Sequence, residues 1–131
     1  MATSPAFIST ARIGRCSLST ANTATDGTGT ITDLITGAAA GTRVLSINVQ
    51  GTATTVAALV NIFLYDGTNY DLFDQFTISA TTGSTTVKGY RLVTSYTDLV
   101  LPSATWKLGA TLTVAPTSGT VRVAAFGGDL T

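Results

Sequence analysis

Residues 56–79 read VAALVNIFLYDGTNYDLFDQFTIS, two apolar runs that a short polar connection joins. Asp66 and Gly67 stand at this connection, and Asp-Gly between apolar runs is a strong signal for a β-hairpin because glycine accepts a positive φ without steric cost. A loop of either two or four residues pairs Tyr65 with Tyr70. The stretch therefore predicts a β-hairpin, and we expect the other strands to be organised around it.

The predicted ladder divides the hairpin into two faces, because successive side chains of a strand point to opposite sides. Continuing from the turn, the ladder pairs Phe63 with Leu72 and places Asn61 opposite Asp74, where an amide can donate to a carboxylate. The first face, which we expect to form the core, carries Leu59, Phe63, Tyr65, Tyr70, Leu72, Phe76 and Ile78. The second face carries Val56, Ala58, Val60, Ile62, Leu64 and Phe73.

A strand that is apolar on both sides is expected to be covered on both sides. We expect a chain of 131 residues to cover only one face of this hairpin by itself. The second face therefore predicts contact with a neighbouring subunit. The candidate oligomer interface consists of Val60, Ile62, Leu64 and Phe73.

The composition predicts an all-β domain. Charged residues are 11% of the chain, against about 25% in ordinary globular proteins. Threonine, a β-branched residue that favours strands, makes up roughly a fifth of the chain. Alternation of apolar and polar residues recurs at residues 43–50 and 105–114, and no helical period of useful length occurs.

The alternating segments and the turn signals between them predict eight or nine short strands. We expect one antiparallel β-sandwich, jelly-roll-like, over residues 10–131, with a closed barrel as the alternative. Residues 1–9 predict an extended N-terminal arm, in which Pro5, Phe7 and Ile8 are the candidate contacts with a partner surface.

The chain lacks the side chains on which most catalytic sites depend. It has no His and no Glu, which excludes Ser-His and Cys-His nucleophiles and the usual Cys/His zinc sites within the chain. The acidic stretch DGTNYDLFD, residues 66–74, does not match a calcium loop, because Tyr70 and Phe73 stand where oxygen ligands are needed. Cys16 is expected to be a small buried residue. We therefore expect no enzymatic activity, no metal and no cofactor.

The charge pattern indicates which kinds of partner the chain can bind. Seven Lys and Arg balance seven acidic residues, and the basic ones are scattered, so we expect no nucleic acid as a partner. The longest apolar run is too short to span a membrane, so we expect no membrane partner either. A net charge of zero gives little repulsion between copies, which favours association. The aromatic residues could form a sugar-binding platform, so a carbohydrate-binding module is the second hypothesis. They are Tyr65, Tyr70, Tyr90, Tyr96 and Trp106.

Three segments resemble small virion proteins of tailed bacteriophages, especially the capsid decoration or cement proteins. They are NIFLYDGTNYDLFD at residues 61–74, DLVLPSATWKL at residues 98–108 and AFGGD at residues 125–129. The resemblance implies a structural virion protein on the outside of the head. It would be made in the host cytoplasm, bind the major capsid protein, bridge capsomers and form a homo-oligomer, most often a trimer. The alternative is a carbohydrate- or receptor-binding module of a phage tail, spike or head fibre.

Overall fold

A computed structural model describes residues 8–130, which form nine β-strands and no helix. The strands are β1 (Ile8–Leu18), β2 (Thr32–Thr36), β3 (Thr42–Gly51), β4 (Ala58–Tyr65), β5 (Tyr70–Ile78), β6 (Arg91–Ser95), β7 (Val100–Leu101), β8 (Lys107–Leu112) and β9 (Val121–Leu130). They make two antiparallel sheets that pack face to face around an apolar core. The prediction of an all-β sandwich is confirmed. The closed-barrel alternative is wrong, because the strands of residues 8–130 divide into two separate sheets.

The strand order places the predicted hairpin at the centre of the topology. The first sheet has the order β1-β9-β3-β6, with the short β7 beside β3, and the second sheet has the order β2-β8-β4-β5. Outward from the β4–β5 hairpin, β3 therefore pairs with β6, β2 with β8 and β1 with β9. This nested pairing of a chain folded back on itself is the strand order of a jelly roll.

The turn of the hairpin follows the sequence prediction. Gly67 has φ of 101°, and the Asp66 carboxylate accepts hydrogen bonds from the backbone N–H groups of Thr68 and Asn69, both at 2.8 Å. These hydrogen bonds, that of Asn69 first, lower the pKa of Asp66. Tyr65 pairs with Tyr70, as predicted.

A β-bulge changes the register beyond the turn. Phe63 pairs with Leu72 and Ile62 with Asp74, so that Phe73 is an extra residue on β5. Asn61 consequently lies opposite Gln75, whose Nε2 donates to Asn61 Oδ1 at 2.9 Å. The predicted pair of Asn61 with Asp74 is wrong, because the bulge advances the rest of β5 by one residue.

The bulge also brings Phe76 and Ile78 of β5 to the same side of the hairpin as Val60 and Ile62. Val60 and Ile62 are completely buried in the core between the sheets, where Phe76 and Ile78 of β5 join them. Leu72, which we expected in the core, is 38% exposed. The predicted assignment of the faces is therefore wrong for Val60 and Ile62.

The outer side of the second sheet is covered as well. Phe63 is fully buried there, and residues 19–31, which connect β1 to β2, run across this side. Ala21 forms a bridge with Leu112, and a Cβ placed on Gly109 would lie 2.5 Å from Ile31 Cγ2. The chain thus covers both faces of β4, against our expectation, because the loop of residues 19–31 supplies the second cover.

Candidate interaction surfaces

The four residues of the predicted oligomer interface do not form one accessible surface. Val60 and Ile62 are 0% exposed, so neither can contact a neighbouring subunit. Leu64 is half-buried and packs against the core. Phe73 remains accessible, with 39% exposure, because the bulge directs it away from the core.

The predicted arm lies mostly outside the described residues. Pro5 and Phe7 belong to the part that the structure does not describe. Ile8, which we assigned to the arm, begins β1, is half-buried and pairs with Leu130 of β9. Ser9 also lies in β1.

Three arginines share the outer side of the first sheet, which we call the arginine face after Arg15, Arg91 and Arg122. Each is exposed and adjoins a side chain that packs in the core: Cys16, Leu92 and Val123. Arg122 pairs with Gln50, and Gln50 pairs with Arg91, so that about 10 Å separates the two arginines across three strands.

Arg15 completes this group from the neighbouring strand. Arg122 pairs with Ser17, which places Arg15 on the diagonal from Arg122 at about 7–8 Å. Ion pairs within residues 8–130 are limited to Arg12 with Asp129 at 3.1 Å and Lys107 with Asp33 at 2.9 Å. The described part of the chain therefore gives the three arginines no carboxylate partner.

The other end of the same sheet side is apolar, and we call it the apolar end: Ile13, Leu45, Val100 and Phe126. Ile13 is 63% exposed, Leu45 42% and Val100 40%. Ile13 pairs with the half-buried Phe126, which in turn pairs with Ser46 next to Leu45. No strand or loop of residues 8–130 covers the exposed Ile13, Leu45 and Val100, and Arg43, which pairs with Val100, lies beside them.

A second surface surrounds Phe73 at the edge formed by β5 and β6. The Phe73 and Tyr96 rings lie 5.7 Å apart, and Tyr96 Oη donates to Asp74 Oδ2 at 2.6 Å. Burial raises the pKa of Tyr96 far above its ordinary value, and the hydrogen bond to Asp74 raises it further, so Tyr96 remains a neutral donor. These rings line a notch of about 330 Å³ with Asp98 at its rim, which we call the Phe73 notch.

A polar cavity of about 510 Å³ opens where β1 ends and β2 begins. Hydroxyl and amide side chains dominate its lining, which includes Ser17, Thr20, Asn22, Thr30, Thr32 and Thr111. Thr111 is 2% exposed, and its Oγ1 has no hydrogen-bond partner among the described residues. The cavity therefore presents hydroxyl and amide groups, without an acidic or basic side chain in its lining.

Cys16 lies between the core and the edge of the first sheet. It is half-buried and packs against the core, as expected for a small apolar residue. Burial, followed by the nearby charge of Asp33, raises the pKa of its thiol from 9.0 to about 11. Since the thiolate is the reactive form, this environment makes Cys16 a poor nucleophile at neutral pH.

Within residues 8–130 no three His, Cys, Asp or Glu side chains lie together in a way that could hold a metal ion. No helix in this part of the chain is long and apolar enough to cross a membrane. No protein-family model matches the chain, and no curated protein matches it at a significant level.

Sequence reasoning missed the arginine face and the apolar end. The local signal was present, because Arg15, Arg91 and Arg122 each alternate with core residues and so point outward. What was absent was the strand order, which brings β1, β9, β3 and β6 into one sheet. The basic residues look scattered in sequence for this reason.

Proposed function

We propose that this protein is a structural virion component that binds the outside of a phage capsid as a symmetric homo-oligomer and stabilises the shell by bridging capsomers. The phage context comes from the resemblance of residues 61–74, 98–108 and 125–129 to decoration proteins. The observation that carries the proposal is the uncovered outer side of the first sheet. A jelly roll is also common in viral capsid domains, although that is an analogy at the level of fold.

The apolar end is the part of this sheet side that suits the shell. Exposed Ile13, Leu45 and Val100 lie on the same side of the sheet as the half-buried Phe126, and burying them against a partner removes apolar surface from water. The contact predicted for the N-terminal arm through Pro5 and Phe7 remains part of this proposal. Many weak contacts repeated by the symmetry of a shell give firm attachment through effective concentration.

Co-sedimentation with capsid shells assembled without this protein tests the proposal. The wild-type chain is expected to pellet with the shells up to a saturating ratio, and Ile13→Glu is expected to weaken this binding about tenfold or more because it places a charge in an apolar contact. Val87→Glu is the matched control, since Val87 is 53% exposed in the β5–β6 connection, away from the apolar end. Wild-type protein that stays in the supernatant contradicts the proposal.

A second candidate is binding of a neutral glycan, which the polar cavity favours. Its hydroxyl and amide lining, with the unpartnered Oγ1 of Thr111, suits a polyhydroxylated ligand better than an ion. The aromatic rings that the sequence suggested as a sugar platform do not line this cavity. The ring centroids of Tyr65 and Tyr70 instead lie 4.4 Å apart, and Lys107 Nζ lies over the Tyr65 ring at 4.9 Å from its centroid.

A further inference from the structure

We propose that copies of this chain associate head to tail, with the arginine face of one copy docked on the Phe73 notch of the next. The inference rests on the oligomeric part of the proposed function and names the two surfaces that would form the contact. It follows from a separation of charge that the strand order produces within a chain of zero net charge.

The acceptor surface combines carboxylates with accessible aromatic rings. Asp98 lines the notch with Phe73, Asp71 is exposed two residues before Phe73 in β5, and neither has an ion-pair partner within residues 8–130. Asp74 adds a third carboxylate, held by Tyr96. A planar guanidinium can pair with a carboxylate and stack on an aromatic ring at the same time, which makes arginine the side chain that best fits this notch.

One basic group of the same chain lies beside the notch. The Arg43 guanidinium donates to the Thr97 carbonyl at 2.8 Å, which directs it along the β6–β7 connection. No ion pair joins Arg43 to Asp98 or to another described carboxylate. The carboxylates of Asp74 and Asp98 at the notch therefore outnumber the single cation nearby.

The donor surface is the arginine face. Its three guanidinium groups are exposed, and the residues between them are the uncharged Ser17 and Gln50. No acidic residue occupies this side of the sheet, because the carboxylates of the described strands lie in the second sheet or, for Asp129, in the ion pair with Arg12. Complementary charge on two surfaces of one chain makes a second copy the partner that both surfaces fit.

The two surfaces differ, so the contact is heterologous. Such a contact generates a closed ring when the rotation between subunits closes, and an open filament when it does not. Within the apolar end, Leu45 and Val100 lie at the far end of the sheet from Arg122, so they remain free on each subunit of this arrangement. A ring would then present several apolar ends at once.

Light scattering over a dilution series tests the inference with the purified full chain alone. The wild type is expected to self-associate, and more weakly when salt rises from about 0.01 M to about 1 M, where the Debye length falls from about 30 to about 3 Å. Arg122→Glu and Asp98→Arg are each expected to weaken association about tenfold or more. An equimolar mixture of these two variants is expected to associate more tightly than either alone, because their reversed charges pair.

Two controls match the charge changes. Lys88→Glu and Asp26→Arg alter the net charge by the same amounts at exposed loop positions outside both surfaces, and they should leave association unchanged. The inference fails if the wild type stays monomeric, if the controls weaken association as much, or if the mixture does no better than its components. None of these outcomes depends on shell binding, so a wild type that associates but ignores shells would overturn the proposed function alone.

Discussion

Ile62 and Leu72 show that two equally hydrophobic residues of one hairpin can differ greatly in solvent exposure. Both are large aliphatic side chains on the central hairpin, yet Ile62 is completely buried between the sheets and Leu72 is 38% exposed on the edge strand. Protein interiors are close-packed, so deleting buried atoms costs their transfer free energy and leaves a cavity. Side chains at an exposed edge lose little on truncation.

Ile62→Ala is therefore expected to lower the free energy of unfolding by about 2–5 kcal/mol. The matched control, Leu72→Ala, should lower it by about 1 kcal/mol, because more than a third of this residue is already in water and little cavity forms at the edge. Urea titration followed by fluorescence measures both values. Equal losses at the two positions, or a larger loss at Leu72, would contradict the placement of the two hairpin faces.

At the scale of elements, the β-bulge at Phe73 decides the arrangement of β5. Up to Leu72, β5 follows the register of the turn. From Asp74 onward, each β5 residue pairs with the β4 residue one position closer to the turn than that register would give. A slip of one residue moves a side chain to the opposite face of a sheet. The bulge thus allows Phe76 and Ile78 to join Val60 in the core while Phe73 points outward.

Deleting Phe73 should remove the bulge and leave every other pair of the hairpin in place. We expect the variant to fold, with a loss of about 1 kcal/mol from the missing contact with Tyr96. Deleting Thr77 is the control, because it turns Ile78 away from the core and should cost about 2–5 kcal/mol. Circular dichroism and thermal unfolding compare them, and a Phe73 deletion as damaging as the Thr77 deletion would show that the bulge is essential to the sheet.

At the scale of the whole molecule, the nested pairing joins the hairpin strands over a short loop and β1 to β9 over almost the entire chain. The entropy of closing a loop grows with its length, and it must be met before distant contacts stabilise the chain. When folding starts at the hairpin and adds strand pairs outward, each new pair closes only a short additional loop, so the entropic cost is divided into small steps. The first and last strands should therefore be the last to pair.

Two equivalent substitutions test this order of events. Val60→Ala in β4 should mainly slow refolding, with φ above about 0.5, whereas Val123→Ala in β9 should mainly speed unfolding, with φ below about 0.3. Both valines are 0% exposed, so the two changes remove the same atoms from the same kind of site. Stopped-flow fluorescence of Trp106, the one tryptophan, gives both rates, and a higher φ at Val123 would reverse the proposed order.

The sequence by itself determined the elements: the hairpin, the position of its turn, the strand content, and the lack of His and Glu on which most catalysis depends. These properties are local, because the period of two and the conformation of Gly67 depend on residues a few positions apart. The tertiary structure alone decided which side of β4 is core, that residues 19–31 cover the other side, and that Arg15, Arg91 and Arg122 meet on one face. These depend on a bulge and on pairing between distant strands, which no local pattern encodes.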